Sequence, residues 1–349
     1  MGYFRENIEK MAGYEPGFQP SEIDVIKLNT NENPYPPSPK VIEAIKNITP
    51  EQLRKYPQPM GDTFRQAAAE IFKVEPDNII CANGGDDLLN LAIRAFCDEK
   101  RSVAYPTPTY SLYPELAKLA DSPVIEIPFD EEFNLPAKLA STGAVLTIVC
   151  NPNAPSGTFI PKEELRQLAG EIKGVLLIDE AYVDFADDNC LELARSLPNV
   201  IILRSMSKGY SLAGMRFGFG IANKDLIKGL MKVKDSYNVD TVSIAAATAA
   251  IEDRQYFKNN VQKIKLDRKI LIEQLTSLGF TVLASQSNFV FAKPAKIRAI
   301  DIYDKLKNRN IYVRYWAYPD IKDKLRISVG TSEQNEKLIN AIKEIIAEG

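Results

Sequence analysis

Short apolar runs alternate with helical patterns along the first two-thirds of the chain. Residues 79–82, 103–105, 124–127, 144–150, 174–178, 200–203 and 217–221 read as strands, several of them apolar at every position. A strand with no polar face fits a sheet covered on both sides. Between the strands lie helix signals. Ser38 caps a helix with Pro39 in its first position and Val41, Ile42 and Ile45 on one face. Asp62 opens another, 88–96 and 161–172 follow the helical period, and residues 106–110 lead into one more. Strand–helix alternation predicts an α/β fold, a mostly parallel sheet sandwiched by helices. From Thr241 the pattern changes. Helices over 241–251, 255–278 and 297–307, strands over 281–283, 289–292, 311–315 and 325–329, and a last helix behind the capping box Thr331/Gln334 read as a smaller α+β domain. The expected organisation is an irregular N-terminal arm (1–30), a large domain (31–243) and a small C-terminal domain (244–349).

Composition narrows the function. With 349 residues, 45% hydrophobic and 26% charged, the chain reads as one large or two ordinary globular domains. A net charge of −3 leaves no basic footprint for nucleic acid. No apolar run approaches the ~18 residues of a membrane span, and the start lacks a signal core or a myristoylation pattern. A cytoplasmic protein is the expectation. There is no histidine, which removes Ser-His-Asp and Cys-His catalysis and nearly all zinc chemistry, so no metal is expected. Cys81, Cys97, Cys150 and Cys190 form no C-x-x-C pair and read as buried thiols.

The candidate chemistry sits where predicted strands end, the usual ligand edge of such sheets. Lys208, in the stretch S-M-S-K-G-Y-S-L-A-G-M-R, follows the strand at 200–203. A lysine amine attacks carbonyl carbon when burial or a nearby cation lowers its pKa, and Arg216 is eight residues away. Ser205, Ser207 and Arg216 suit a phosphate. A lysine beside a phosphate cradle is what pyridoxal 5′-phosphate (PLP) requires; a surface lysine on a glycine turn is the plain alternative. Gly84 and Gly85 form either an anion-binding turn at a helix start or an ordinary tight turn. Asp179 closes an apolar strand and needs a partner, either a protonated ring nitrogen or a structural arginine. Tyr182, three residues on, can donate to such a ring's phenolic oxygen; Tyr110 either stacks on the ring or is an ordinary exposed tyrosine at a helix start. Gly218-Phe219-Gly220 does not complete a dinucleotide fingerprint, because Asn223 holds its last position, and there is no Walker A sequence. The basic run 258–269 reads as the solvated face of a helix.

Taken in order over nearly the whole chain, these segments resemble the fold type I PLP enzymes, within them the histidinol-phosphate aminotransferase family. The resemblance implies that Lys208 forms the Schiff base and shuttles a proton, that Asp179 in D-E-A-Y pairs with the pyridinium, and that Tyr182 bonds the cofactor's phenolic oxygen. It implies a phosphate site from Gly84, Gly85, Asp86, Ser205, Ser207 and Arg216, and ring stacking by Tyr110 in P-T-Y. Tyr56 in K-Y-P-Q-P is implied to reach the PLP phosphate of a second subunit, which makes the protein a homodimer. Tyr14 in G-Y-E-P-G, Arg314 in V-R-Y and Arg326 in L-R-I-S-V-G are implied to receive the substrate's phosphate or carboxylate. The expected reaction converts L-histidinol phosphate and 2-oxoglutarate into imidazole acetol phosphate and L-glutamate. An aromatic amino-acid aminotransferase and an L-threonine O-3-phosphate decarboxylase are the alternatives. One position departs from the family's N-P-N-N-P-T-G: Ala154 replaces the asparagine that bonds the phenolic oxygen, and Ser156 replaces the threonine. Either Asn153 or Asn151 compensates, or Tyr182 acts alone.

Overall fold

The largely apolar runs ending near Cys150, Asp179 and Ser205 are best satisfied between two covering layers, and they lie there. The computed structural model describes residues 2–14, 17–20 and 24–348. Its first elements are α1 (Glu6–Lys10), β1 (Ile26–Lys27), α2 (Pro39–Lys46), α3 (Pro50–Leu53), α4 (Asp62–Phe72), β2 (Ile79–Ala82) and α5 (Gly85–Phe96). There follow β3 (Val103–Thr107), α6 (Leu112–Leu119), β4 (Val124–Pro128), β5 (Leu146–Cys150), α7 (Lys162–Glu171), β6 (Val175–Asp179), α8 (Leu191–Ser196), β7 (Val200–Ser205), β8 (Gly218–Ala222) and α9 (Lys224–Met231). The remainder is α10 (Thr241–Glu252), α11 (Arg254–Ser277), β9 (Phe280–Val282), β10 (Phe289–Pro294), α12 (Ala299–Lys307), β11 (Ile311–Tyr312), β12 (Leu325–Ser328) and α13 (Ser332–Ala347).

Seven strands form the main sheet in the order β2-β8-β7-β6-β5-β3-β4. Strands β4, β3, β5, β6 and β7 pair in parallel, whereas β8 runs antiparallel to both β7 and β2. β5, β6 and β7 are buried almost throughout, and separate apolar cores cover the two faces of the sheet. β8 begins on a glycine for a steric reason. A Cβ on Gly218 would stand 2.6 Å from the Gly84 carbonyl carbon, so only a bare backbone passes under the turn that opens α5. The small C-terminal sheet is antiparallel, in the order β12-β10-β9. α13 starts on the expected capping box, with Gln334 N–H donating to Thr331 Oγ1 and Thr331 N–H to Gln334 Oε1. The four cysteines are buried and unpaired.

The structure departs from the sequence reading in four places. The N-terminal arm is not irregular throughout: α1 packs on α6 through Arg5 and Asn7, which donate to the Leu119 and Lys118 carbonyls. β1 pairs in parallel with β11, so the arm adds a strand beside the small sheet. The boundary expected at 243/244 cuts α10. This helix is apolar on nearly every side, packs on α2 and α4, and gives Ile244, Ala246, Ala247, Ala250 and Ile251 to the core of the main sheet. Ile42, expected inside, is 46% exposed, and Val41 alone of its helix is fully buried. In the basic run of α11, Arg268 is buried and donates to the carbonyls of Phe185 and Ser287.

Candidate active site

Parallel strands release their chains at one edge of a sheet, and helix dipoles converge there. Along that edge a cavity of about 1060 Å³ opens, lined by the ends of β3, β5, β6 and β7, the start of α5, residues 29–32, and Arg314 and Arg326 of the small unit. Lys208 lies three residues beyond β7. Its Nζ donates to the Thr30 carbonyl at 3.3 Å and lies 5.5 Å from the centre of the Tyr182 ring. Burial, with help from the guanidiniums of Arg326 and Arg216, pushes its pKa down to about 8. The loop behind it is braced. Asp184 fills the space a Cβ on Gly209 would need, and Arg254 donates to the Tyr210 hydroxyl at 2.6 Å.

Asp179 ends β6 and is 3% exposed. The structural-arginine alternative fails, because Arg204 turns to Glu180 (Nε to Oε2, 2.7 Å). Among the described residues no lysine or arginine stands at ion-pair distance from Asp179. Its neutralising contacts are the Tyr113 hydroxyl, donating to Oδ2 at 2.7 Å, and the Ala181 N–H, donating to Oδ1 at 3.1 Å. Burial wins over both bonds and pushes its pKa up to about 6. Tyr113 escaped the sequence reading, since its place on the inner face of α6 marks it only as core. The signal was there in chemical form: a buried tyrosine needs a partner for its hydroxyl.

At the cavity's other end, α5 starts on Gly84 and Gly85 with no side-chain cap. Gly84 has φ +88°, and a Cβ there would stand 2.9 Å from Arg216 Nη2. Arg216 donates to Ser207 Oγ at 3.4 Å and to Asp86 Oδ2 at 3.5 Å, and Ser207 N–H donates to Ser205 Oγ. Uncapped amides, two hydroxyls and a guanidinium make an anion cradle. The Asp86 side chain also accepts from the Tyr110 hydroxyl at 3.2 Å, so it positions Tyr110 and Arg216. Tyr110 meets Tyr14 and Tyr113 edge to face.

Arg314 and Arg326 face each other across an antiparallel bridge and exchange backbone hydrogen bonds. Their Cζ atoms lie 5.1 and 5.0 Å from the centre of the Trp316 ring. Arg326 donates through Nη2 to the Asn29 carbonyl at 2.8 Å, while its buried Nε has no partner among the described residues. Tyr14 lines the same region; Glu15 and Pro16 of its motif lie outside the described residues.

Two predicted residues are elsewhere. Asn153 does not line the cavity. Its side chain accepts from Thr109 Oγ1 and donates to the Pro108 carbonyl and Ser156 Oγ, which uses up its amide in holding two loops together. Asn151 is likewise spent on the backbone of Ile160. Tyr56 is 80% exposed, stacked on Tyr237, and outside its own chain's cavity.

Residues 23–342 match the family described as aminotransferase class I and II. The chain belongs to that family. Among curated aminotransferases, it is 47% identical over 346 residues to "Histidinol-phosphate aminotransferase 1" of Trichormus variabilis, covering 99% of each chain. A protein of the same name from Nostoc sp. is also 47% identical over 346 residues, covering 99% of this chain and 98% of that one. Among solved structures, histidinol-phosphate aminotransferase from Sinorhizobium meliloti in complex with pyridoxal-5′-phosphate superposes with a TM-score of 0.91 at 25% identity, covering 100% of this chain and 98% of that one.

Proposed function

We propose that this aminotransferase holds PLP on Lys208 and moves the amino group of L-histidinol phosphate to 2-oxoglutarate, giving imidazole acetol phosphate and L-glutamate. The observation that carries the reading is Asp179: a buried carboxylate with no lysine or arginine at ion-pair distance among the described residues, in one cavity with a lysine whose pKa burial pushes down to about 8. A protonated ring nitrogen is the cation such a carboxylate lacks. The anion cradle at Gly84, Gly85, Ser205, Ser207 and Arg216 fits the cofactor's phosphate, so the residues present suit the group from end to end.

When bound, PLP supplies an aldehyde that condenses with amines and a ring that withdraws electrons. The chain does the rest. Burial, which brings the Lys208 pKa down to about 8, makes its amine give up a proton more readily than a solvated lysine does, as a nucleophile and then a proton-carrying base require. Asp179 holds a proton on the ring nitrogen, and Tyr113 holds Asp179. Tyr182 offers its hydroxyl, and Tyr110 its ring. Arg314 and Arg326 take the substrate's phosphate dianion in one half-reaction and the distal carboxylate of glutamate in the other. Two guanidiniums suit a phosphate dianion, which accepts several charge-assisted hydrogen bonds; the α-carboxylate of an aromatic amino acid can use the same donors, so the assay below separates the two substrates. Exposed Tyr56 supports a homodimer in which it reaches the partner's cofactor phosphate.

Borohydride reduction of the purified protein, followed by peptide mapping, tests the cofactor assignment: the label is expected on Lys208 and absent from Lys208→Ala. A two-substrate assay tests the reaction. Glutamate and imidazole acetol phosphate are the expected products. Faster turnover of phenylalanine at equal concentration would replace the reading with an aromatic aminotransferase, and release of CO₂ from threonine phosphate with a decarboxylase.

A further inference from the structure

Residues 29–33, Asn-Thr-Asn-Glu-Asn, carry no regular secondary structure, yet 29–32 line the cavity and the stretch touches both units. Asn31 is the centre of this strap. It is 1% exposed and its backbone is left-handed, with φ +57°. Its N–H donates to Ser328 Oγ at 2.9 Å, and the same hydroxyl donates back to Asn31 Oδ1 at 2.9 Å. Asn288 Nδ2 donates to the Asn31 carbonyl at 2.9 Å. Ser328 ends β12 and Asn288 immediately precedes β10, so the small sheet fixes three of the groups on Asn31. The fourth, Nδ2, reaches the large unit and donates to the Tyr182 hydroxyl oxygen at 3.1 Å.

A phenol has one proton to give. An amide N–H occupies a lone pair of the Tyr182 oxygen, and no described residue accepts the Tyr182 proton. That proton is left to face the cavity. No side-chain amide stands in for it: Ala154 presents a methyl group to the cavity, and Asn151 and Asn153 are bonded elsewhere.

We propose that Asn31 is a positioning residue that fixes Tyr182 as a proton donor to the phenolic oxygen of bound PLP, a bond to which Ala154 cannot contribute. The inference rests on the reading that PLP occupies this cavity. Donation to that oxygen favours its deprotonated state and so lowers the pH at which the bound cofactor's absorbance titrates. The other titratable groups facing Tyr182 are Arg326 on β12, Asp179 on β6, Cys150 on β5, Tyr110 and Lys208. All of them stay in place in the variants below.

Asn31→Gly is the informative change, because glycine accepts the left-handed backbone and only the side chain is lost. The absorbance titration of the holoenzyme is expected to move up by about one pH unit, the size of one hydrogen bond to a charged oxygen. Ser328→Ala keeps both Asn31 and Tyr182 but unlatches the amide, and should shift the midpoint the same way by less. Tyr182→Phe should give the full shift, and adding Asn31→Gly to it should give no more, since one residue acts through the other. Borohydride capture of the cofactor on Lys208, measured in every protein, tests the cofactor assignment separately. With capture intact, an unmoved midpoint in Asn31→Gly overturns the proposal, as does an undiminished extra shift in the Tyr182→Phe background. Failure of capture in the unsubstituted protein would overturn the cofactor reading and this inference with it.

Discussion

Replacing Tyr113 with phenylalanine deletes one oxygen and leaves a ring of the same shape in the same buried place. The hydroxyl it removes donates to Asp179 Oδ2 at 2.7 Å. Asp179 has then only the Ala181 N–H to offset the cost of burial, which already pushes its pKa up to about 6. A hydrogen bond to a charged group contributes about 1.5–3 kcal/mol. Its loss should raise the Asp179 pKa by about one to two further units. The proton then stays on the carboxyl through neutral pH, where PLP needs the anion to pair with its ring nitrogen. Cofactor affinity at pH 7 should fall by roughly twofold to tenfold, the drop in the ionised fraction as the pKa moves up from about 6, and the loss should shrink above pH 8 as the carboxyl ionises. Equilibrium titration of the apo-protein with PLP across pH 6–9 measures this directly. A loss of equal size at every pH would mean that Tyr113 only packs against Asp179, and an unchanged Kd would remove it from the site altogether.

Other outcomes follow from the same geometry. Arg314→Ala should lower kcat/KM for histidinol phosphate by roughly 30-fold or more, since stranding one partner of a buried charge pair costs about 2–5 kcal/mol; unphosphorylated histidinol should barely change, and equal losses for both would mean that Arg314 does not read the phosphate. Asp179 and Asp184 both sit near 6 because burial penalises their charged forms. The folded apo-protein therefore binds more protons than the unfolded chain between about pH 4 and 6, and its stability falls as pH rises through that window. Asp179→Asn should flatten this slope and raise the apo-protein's Tm at pH 8, and a steeper slope would contradict the burial argument. Mixing Lys208→Ala with Tyr56→Phe subunits should yield more activity than either parent, because one site per heterodimer keeps both native residues; no gain after proven subunit exchange would place Tyr56 outside the partner's site.

The chemistry that could be read in the sequence was the part attached to strong local patterns. Lys208, Asp179 and the Gly84-Gly85 turn each follow an apolar strand, so periodicity alone placed them on one edge of a sheet. What escaped was set by tertiary contact. The Tyr113 hydroxyl asks for a partner, but nothing local says which, because that partner is Asp179, sixty-six residues away in the chain. Asn31 lies in a polar stretch with no hydrophobic period to place it, and its contacts depend on Ser328 and Asn288, near the other end of the chain. α10 looked like the first helix of the small unit because the strand pattern stopped there. Its nearly uniform apolarity was the better clue, since a helix without a polar face has to be enclosed. The reversed direction of β8 leaves no trace in the strand's composition. The misplacement of Asn153 has a different cause: its neighbours Thr109 and Ser156 compete for the amide and win.

Trp316 has a consequence of another kind. It is the single tryptophan of the chain, and it stands against both Arg314 and Arg326. Light emitted on excitation of indole therefore comes from one address. On the proposed reading, phosphate or carboxylate arriving between those arginines would redistribute charge beside the ring, and the emission would report that arrival without a label and before any bond is made or broken.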